Sequence, residues 1–152
     1  MKIRKFLPET DYAELCSYWK KIGWIAPHLG LLPNDGFVAE ENDKLVAAMF
    51  IYMSSNSKMS FMSWPISDPD ASRLSVGKGL IGIIKEIKEF VADAGNDMIF
   101  SVGTTPELEK IFNKMGFISG ERNSTTMISI VNYSKELTDF CFNEAEKHIG
   151  SN

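Results

Sequence analysis

The fold is decided by residues 59–82, whose sequence is MSFMSWPISDPDASRLSVGKGLIG. Residues 59–66 have the composition of a β-strand, and Pro65 predicts that its far end is unpaired or bulged, because proline has no amide hydrogen for a ladder. Residues 67–72 are rich in Asp, Pro and Ser and predict a loop. Gly77-Lys78-Gly79 then precedes a long stretch with apolar residues at helical spacing. We therefore predict a glycine turn between a strand and a long helix.

This predicted turn is a candidate anion site. The first turn of a helix offers unpaired N–H groups and the positive end of the helix dipole, and glycine lets a phosphate approach the backbone closely. The alternative is a plain loop whose glycines only provide unusual backbone angles. The string Gly77-Lys78-Gly79-Leu80-Ile81-Gly82 also matches G-x-G-x-x-G. A Rossmann fold is disfavoured because several strands come first, and the absence of Gly-Lys-Ser/Thr excludes a Walker A loop.

The chain before this stretch predicts one helix and three strands. Residues 2–6 form a short strand, and Pro8 opens a helix that ends at Gly23. Residues 24–33 are apolar but broken by Pro and Gly, which predicts a short helix or a loop over a pocket. Residues 37–40 and 45–53 flank Asn42-Asp43, a hairpin signal.

The chain after this stretch predicts a crossover and a C-terminal pair of strands. Residues 98–102 form a buried strand, and Thr105 with Pro106 begins a short helix that Gly116 ends. Residues 117–119 and 126–131 form a last strand pair, and Ser134 caps a final helix. The predicted class is α+β with one β-α-β crossover.

Composition limits the class of protein and its partners. The chain has 152 residues, a net charge of -4, 44% hydrophobic residues and 24% charged residues, typical of one soluble globular domain. A mildly acidic chain has no general attraction for nucleic acid. The two cysteines and two histidines lie in no metal-binding spacing, so we predict no metal. No signal peptide is predicted, and the longest apolar run, 45–53, is too short for a membrane, so we expect a cytoplasmic protein.

The order of these elements resembles the GNAT superfamily of N-acetyltransferases. The resemblance covers residues 1–131, and residues 132–152 add a C-terminal helix packed on the same domain. It rests on the glycine stretch, where Gly77 and Gly79 match the glycines of R/Q-x-x-G-x-G/A, and on the short helix before Gly116-Phe117. Leu74 stands at the first position of the motif, where the family has Arg or Gln, and Arg73 lies one residue before that position. The implied fold has three layers, with a mixed, mostly antiparallel sheet splayed between strands 4 and 5 and helices on both faces.

The resemblance also implies a donor, acetyl-CoA, bound where those two strands part. It places the pyrophosphate on the amides of residues 76–79 and the thioester carbonyl on an amide near Trp64 or Ile66, an oxyanion-hole role. Ser101 and Thr105 would hydrogen-bond the pantetheine arm, or else close a strand and cap a helix. The implied cofactor-binding residues are thus Trp64, Ile66, Val76, Gly77, Lys78, Gly79, Ser101, Thr105 and Phe112.

The catalytic residues depart from the family pattern. The family's tyrosine acid is replaced by Phe112, which cannot donate a proton and either faces the cofactor sulfur or packs in the core. Asp68 lies just beyond the fourth strand and is a candidate base or a turn former. His28 lies in the apolar loop on the acceptor side and is a candidate base or a structural histidine. Trp24, Leu29, Leu31 and Leu32 line an acceptor pocket or the core.

The prediction is an acetyl-CoA-dependent N-acetyltransferase that acts on an amine of a small molecule or protein. One alternative is a catalytically inactive GNAT-fold module that binds acyl-CoA or a protein partner. A second is a small structural domain with no CoA site. A homodimer is left open.

Overall fold

The computed structural model describes residues 1–102 and 105–120. The predicted strand at 126–131 and the helix after Ser134 lie outside these residues. Residues 117–119, predicted as a strand, form no strand among the described residues. The elements are β1 (Lys2–Lys5), α1 (Pro8–Lys21), β2 (Gly36–Glu41), β3 (Lys44–Tyr52), β4 (Met59–Ser67), α2 (Arg73–Asp93), β5 (Met98–Ser101) and α3 (Pro106–Lys114), with a 3-10 turn at Leu29–Leu31.

The strands form one sheet in sequence order. Neighbouring strands are antiparallel from β1 to β4, and β5 joins β4 in parallel through the α2 crossover. Asn42 and Asp43, with φ of 53° and 60°, form the tight turn between β2 and β3. Two left-handed residues in a two-residue loop match the twist of the flanking strands. The α+β class and the predicted hairpin are confirmed.

Helices cover both faces of the sheet and make two hydrophobic clusters. On one face α1 packs through Leu15, Tyr18 and Trp19 against buried residues of β2 to β4. On the other face α2 and α3 pack on alternate residues of the same strands. Because β3 is covered on both sides, residues 45–51 are buried without interruption. The predicted three-layer arrangement is confirmed for the described residues.

Strands β4 and β5 part after a short parallel ladder. The ladder ends at Met62 and Ser101, and the Ser101 hydroxyl donates to the Met62 carbonyl at 3.0 Å. β4 runs on to Ser67, while β5 ends at Ser101. The register with β3 shifts between Ala48 and Phe50, so that Trp64 and Pro65 together oppose one residue. Trp64 has a φ of 54°, and this β-bulge is the irregularity that Pro65 predicted.

The predicted glycine turn is wrong, because helix α2 begins at Arg73. The Ser72 hydroxyl caps the helix by accepting from the Ser75 amide at 3.1 Å. Gly77, Lys78 and Gly79 therefore lie inside the helix. A Cβ at Gly79 would stand 2.9 Å from the Ala39 Cβ, so glycine is needed there for close packing of the helix on the sheet.

Candidate active site

A cleft opens where β4 parts from β5. Its volume is about 220 Å³, and it lies between the end of α1, the last residues of β4, α2 and the start of α3. Most of its lining is apolar. The lining residues are Ile22, Trp24, Pro65, Ile66, Ser67, Pro69, Leu80, Thr105 and Leu108. Trp24, a candidate for the acceptor pocket, lies in this lining, whereas Leu32 is buried in the α1 cluster.

The backbone of β4 turns the Ser67 amide to the side of the cleft. The Asp68 amide donates to the Val46 carbonyl of β3 at 2.9 Å. Amides alternate sides along an antiparallel strand, so Ile66 also turns its amide to β3, where it pairs with Ala48. Ser67 between them directs its N–H to the other edge, toward the cleft. The expectation of an amide donor near Trp64 or Ile66 stays a prediction: the Ile66 amide itself turns to β3, whereas the Ile66 side chain lines the cleft.

Trp64 is not among the lining residues of the cleft and instead takes part in a chain of hydrogen bonds to the loop between α1 and β2. Its indole N–H donates to the Tyr52 hydroxyl at 2.7 Å, and that hydroxyl donates to the Leu31 carbonyl at 2.5 Å. The Tyr12 hydroxyl likewise donates to the Pro27 carbonyl at 2.8 Å. Burial raises the pKa of Tyr52, and the hydrogen bond from Trp64 offsets part of this increase. Two neutral tyrosines therefore tether the loop between α1 and β2.

The amides assigned to the pyrophosphate are already bonded. The Val76 amide donates to the Ser72 carbonyl at 3.0 Å, and those of residues 77–79 lie within α2. This part of the prediction is wrong, because the helix starts four residues earlier. The amides without an intrahelical partner are those of the first turn, at Arg73 and Leu74. Lys78 is exposed on the same helix, and its role in binding stays a prediction.

The two candidate bases have structural partners. Nδ1 of His28 accepts from the Gly30 amide at 3.1 Å and caps the 3-10 turn. The Asp68 carboxylate accepts from the Asp70 amide at 3.0 Å, which is a turn-forming contact. Asp70 pairs with Lys21 at 2.6 Å, and this hydrogen bond raises the pKa of Lys21. Neither His28 nor Asp68 lies in the cleft lining, and their catalytic roles stay predictions.

The remaining predicted site residues have clear local roles. The Thr105 hydroxyl accepts from the Leu108 amide at 3.2 Å, so it caps α3 and also lines the cleft. Phe112 is only 6% exposed and packs on Phe117, with ring centroids 5.0 Å apart. This burial favours the packing interpretation of Phe112, which is not among the lining residues of the cleft.

No group of three or more metal-ligating side chains occurs among the described residues. No helix within residues 1–102 and 105–120 is long and apolar enough to cross a membrane.

Comparison with solved structures finds the same arrangement of helices and strands in other proteins, several of them described as acetyltransferases. Protein TTHA1254 of Thermus thermophilus has a TM-score of 0.61 and 19% identity over 88% of this chain and all of that one. An aminoglycoside acetyltransferase from an uncultured soil sample has a TM-score of 0.59 and 14% identity over 86% and 96%. The chain has the GNAT fold. No family model matches, and no curated protein matches.

A third GNAT-fold neighbour bears on the donor. The predicted acetyltransferase of Clostridium acetobutylicum, solved with acetyl-CoA, has a TM-score of 0.56 and 14% identity over 84% of this chain and 95% of that one. The resemblance inferred from the order of elements is thus confirmed at the level of the fold. At these identities the likeness does not extend to a particular reaction.

Proposed function

We propose that this chain is an N-acetyltransferase that moves acetyl from acetyl-CoA to an amine of a small molecule or protein. The observation that carries the proposal is the cleft at the splayed strands, where the bulge at Trp64 and Pro65 turns the Ser67 amide outward. An apolar cleft with one convergent backbone donor suits an acyl thioester. The acetyltransferase fold supports this proposal.

The residues around the cleft fit an acyl-CoA. Pro65, Leu80 and Leu108 offer an apolar wall for an acyl-pantetheine end. The first turn of α2 carries no acidic residue and offers the amides of Arg73 and Leu74 to the pyrophosphate. Lys78 adds a positive charge on the same helix. Acetyl-CoA, when bound, supplies an activated acetyl group.

Transfer to an amine forms a C–N bond and breaks the C–S bond. The Ser67 amide stabilises the negative charge that develops on the carbonyl oxygen during transfer. The amine must lose a proton, and the departing thiolate must gain one. Since Phe112 is buried and has no acidic hydrogen, water in the open cleft relays both protons.

The test removes the Ser67 amide hydrogen and nothing else in the ladder. Ser67 faces Ala47 in a pair that the alternation leaves without hydrogen bonds, so Ser67→Pro keeps the contacts of β4 with β3. Ser67→Ala is the matched control, because it loses the hydroxyl and keeps the amide. With acetyl-CoA and a panel of amines, thiol release should fall about 100-fold in Ser67→Pro and stay near wild type in Ser67→Ala. Equal rates in both variants, with both folded by circular dichroism, would contradict the role of this amide.

A catalytically inactive acyl-CoA-binding module remains the second candidate. The observation that favours it is the buried Phe112 at the position of the family's acid, together with a cleft lining that contains no carboxylate or histidine among the described residues. Calorimetry with acetyl-CoA measures binding, and thiol release across the amine panel measures turnover. Binding without release supports this second function, and release supports the first.

A further inference from the structure

The end of α1 fixes the backbone of Trp24 at the edge of the cleft. Gly23 has a φ of 76°, a left-handed conformation that ends the helix. The Gly23 amide donates to the Lys20 carbonyl at 3.1 Å, and the Trp24 amide donates to the Trp19 carbonyl at 2.8 Å. These two hydrogen bonds form a Schellman motif, so the position of Trp24 is set by the helix that precedes it.

The side chain of Trp24 lies in the cleft lining rather than in the core. The residue at this position of a Schellman motif often packs on the last turn of its own helix. Here Trp19, its counterpart on that turn, is buried in the α1 cluster, whereas Trp24 is 50% exposed. Ile22 is 42% exposed and lines the same cleft. Two large apolar side chains that stay half in water on a fixed helix end indicate a binding surface.

The charges beside this end of the cleft leave one negative charge in excess. Lys21, at the end of α1, pairs with Asp70 of the loop after β4 at 2.6 Å. Pro69 of that loop lines the cleft, and Asp68 precedes it. The two carboxylates outnumber the single ammonium group, while no charged side chain occurs among the described residues of the lining itself. This end of the cleft therefore attracts one positive charge to its edge and offers mainly apolar contacts inside.

We propose that the acceptor is a small monoamine carried on an apolar ring, and that Trp24 selects it by packing against that ring. The inference rests on the proposed function and narrows its substrate class. The indole and the ring of the amine gain apolar burial and an aromatic contact, with Ile22 and Pro69 beside them in the lining. The excess negative charge draws the ammonium form to the cleft. After one proton passes to water, the neutral nitrogen forms the C–N bond as the C–S bond breaks, and the thiolate takes a proton from water.

The same lining disfavours a polycationic acceptor. A second ammonium group in place of the ring would lose its water against Ile22, Trp24 and Pro69, and it would find no carboxylate among the lining residues that the structure describes. Desolvation of an unpaired charge is costly. An acidic acceptor is disfavoured because Asp68 and Asp70 repel it. The cleft thus favours an amine with a single charge and an apolar body.

The first test compares two acceptors that differ in this body. Phenylethylamine carries one amine on a ring, whereas diaminobutane carries a second charge in place of the ring. With acetyl-CoA as donor, kcat/KM from thiol release should be at least about tenfold higher for phenylethylamine. Trp24→Ala should raise KM for phenylethylamine about tenfold and leave kcat near wild type, because the reacting atoms do not touch the indole.

Two variants control for the loss of the indole. Trp24→Phe keeps an aromatic face and should recover most of the affinity for phenylethylamine. Phe100→Ala is the matched control, because Phe100 is 52% exposed and is not a lining residue. Circular dichroism checks that all variants fold. A preference for diaminobutane, or a KM in Trp24→Ala equal to that of wild type, would overturn the proposal.

A binding measurement separates this inference from the proposed function. Fluorine NMR follows a fluorinated phenylethylamine in the presence of CoA, which has no acetyl group to transfer. Saturable binding to wild type should weaken at least about fivefold in Trp24→Ala and stay unchanged in Phe100→Ala. If this dependence on Trp24 holds while no amine releases thiol, the proposed function fails and the ligand class stands. If amines release thiol while binding does not depend on Trp24, the proposed function stands and this inference is wrong.

Discussion

Gly77 and Gly79 lie two residues apart in α2 and meet different surroundings. A Cβ on Gly77 would meet no atom within 4 Å, whereas one on Gly79 would press on the Ala39 Cβ of the sheet. Gly77→Ala should therefore stabilise the protein by about 0.4–1 kcal/mol. Gly79→Ala should instead destabilise it by about 1–3 kcal/mol through overpacking.

Urea denaturation of the two variants beside wild type measures both effects. Each variant is the control for the other, because the chemical change is the same. If Gly79→Ala is as stable as Gly77→Ala, the packing of α2 on β2 is looser than the structure indicates. The same crowding means that the larger side chain of Gly79→Glu would disrupt the packing of α2 on the sheet.

Phe112 allows a second prediction at a single residue. Its ring is buried against Phe117, so the hydroxyl of Phe112→Tyr would enter the core without a hydrogen-bond partner. The free energy of unfolding should fall by about 1–3 kcal/mol, and turnover should not rise. Chemical denaturation and thiol-release kinetics on this variant check the two parts. A stable variant with faster turnover would show that the ring reaches the cleft after all.

At the level of elements, Asp11 joins β1, α1 and β2 at one buried point. Its carboxylate accepts from the Arg4 guanidinium at 2.7 Å and 2.9 Å and from the Leu7 amide at 2.8 Å. Arg4 also donates to Glu40 of β2 at 2.8 Å. Because Leu7 has no side chain that caps α1, Asp11 satisfies the N-cap amide by reaching back from the first turn.

The pKa of Asp11 predicts an acid-dependent loss of stability. Burial raises this pKa, but the hydrogen bonds from Arg4, Leu7 and Thr10 lower it more, so the net shift is downward. The stabilisation is therefore complete above the ordinary aspartate pKa of about 3.9. It is lost as the pH falls through the lower pKa of the folded state.

The matched variant is Asp11→Asn, which keeps the shape and removes the charge. At pH 7 it should lower the free energy of unfolding by about 1.5–3 kcal/mol. The difference from wild type should shrink below about pH 4. Urea denaturation at pH 7 and pH 3 measures this. A difference that stays constant with pH would mean that the charge of Asp11 does not contribute.

For the whole molecule, the proposed donor should stabilise the fold. A ligand that binds only the native state at one hundred times its Kd adds about 2.7 kcal/mol to the free energy of unfolding. Acetyl-CoA should therefore raise Tm in a concentration-dependent way. Adenosine diphosphate at the same concentration is the control, because it has the pyrophosphate and lacks the pantetheine arm. No rise in Tm with millimolar acetyl-CoA would favour a structural domain without a CoA site.

Most of the fold followed from local signals. Pro8 begins α1, and Gly23 follows its end. Asn42 and Asp43 form the hairpin turn, and Thr105 with Pro106 begins α3. Caps and turns depend on a few neighbouring residues, so their sequence is enough to place them. Pro65 also predicted the bulge, because a residue without an amide hydrogen cannot donate to the ladder of any sheet.

The site depended on partners far away in the sequence. The register of β4 with β3 beyond the bulge determines which amide of β4 faces the cleft. A shift of one residue in this register would turn the Ile66 amide to the cleft in place of the Ser67 amide. Whether glycine at 79 serves a phosphate or a neighbouring Ala39 is decided by how closely α2 approaches the sheet. The sequence alone thus determined the order and ends of the elements, because those signals are local. The tertiary structure decided which groups remain available for chemistry, because hydrogen bonds and packing between distant strands and helices occupy groups such as the Ile66 amide and the Phe112 ring.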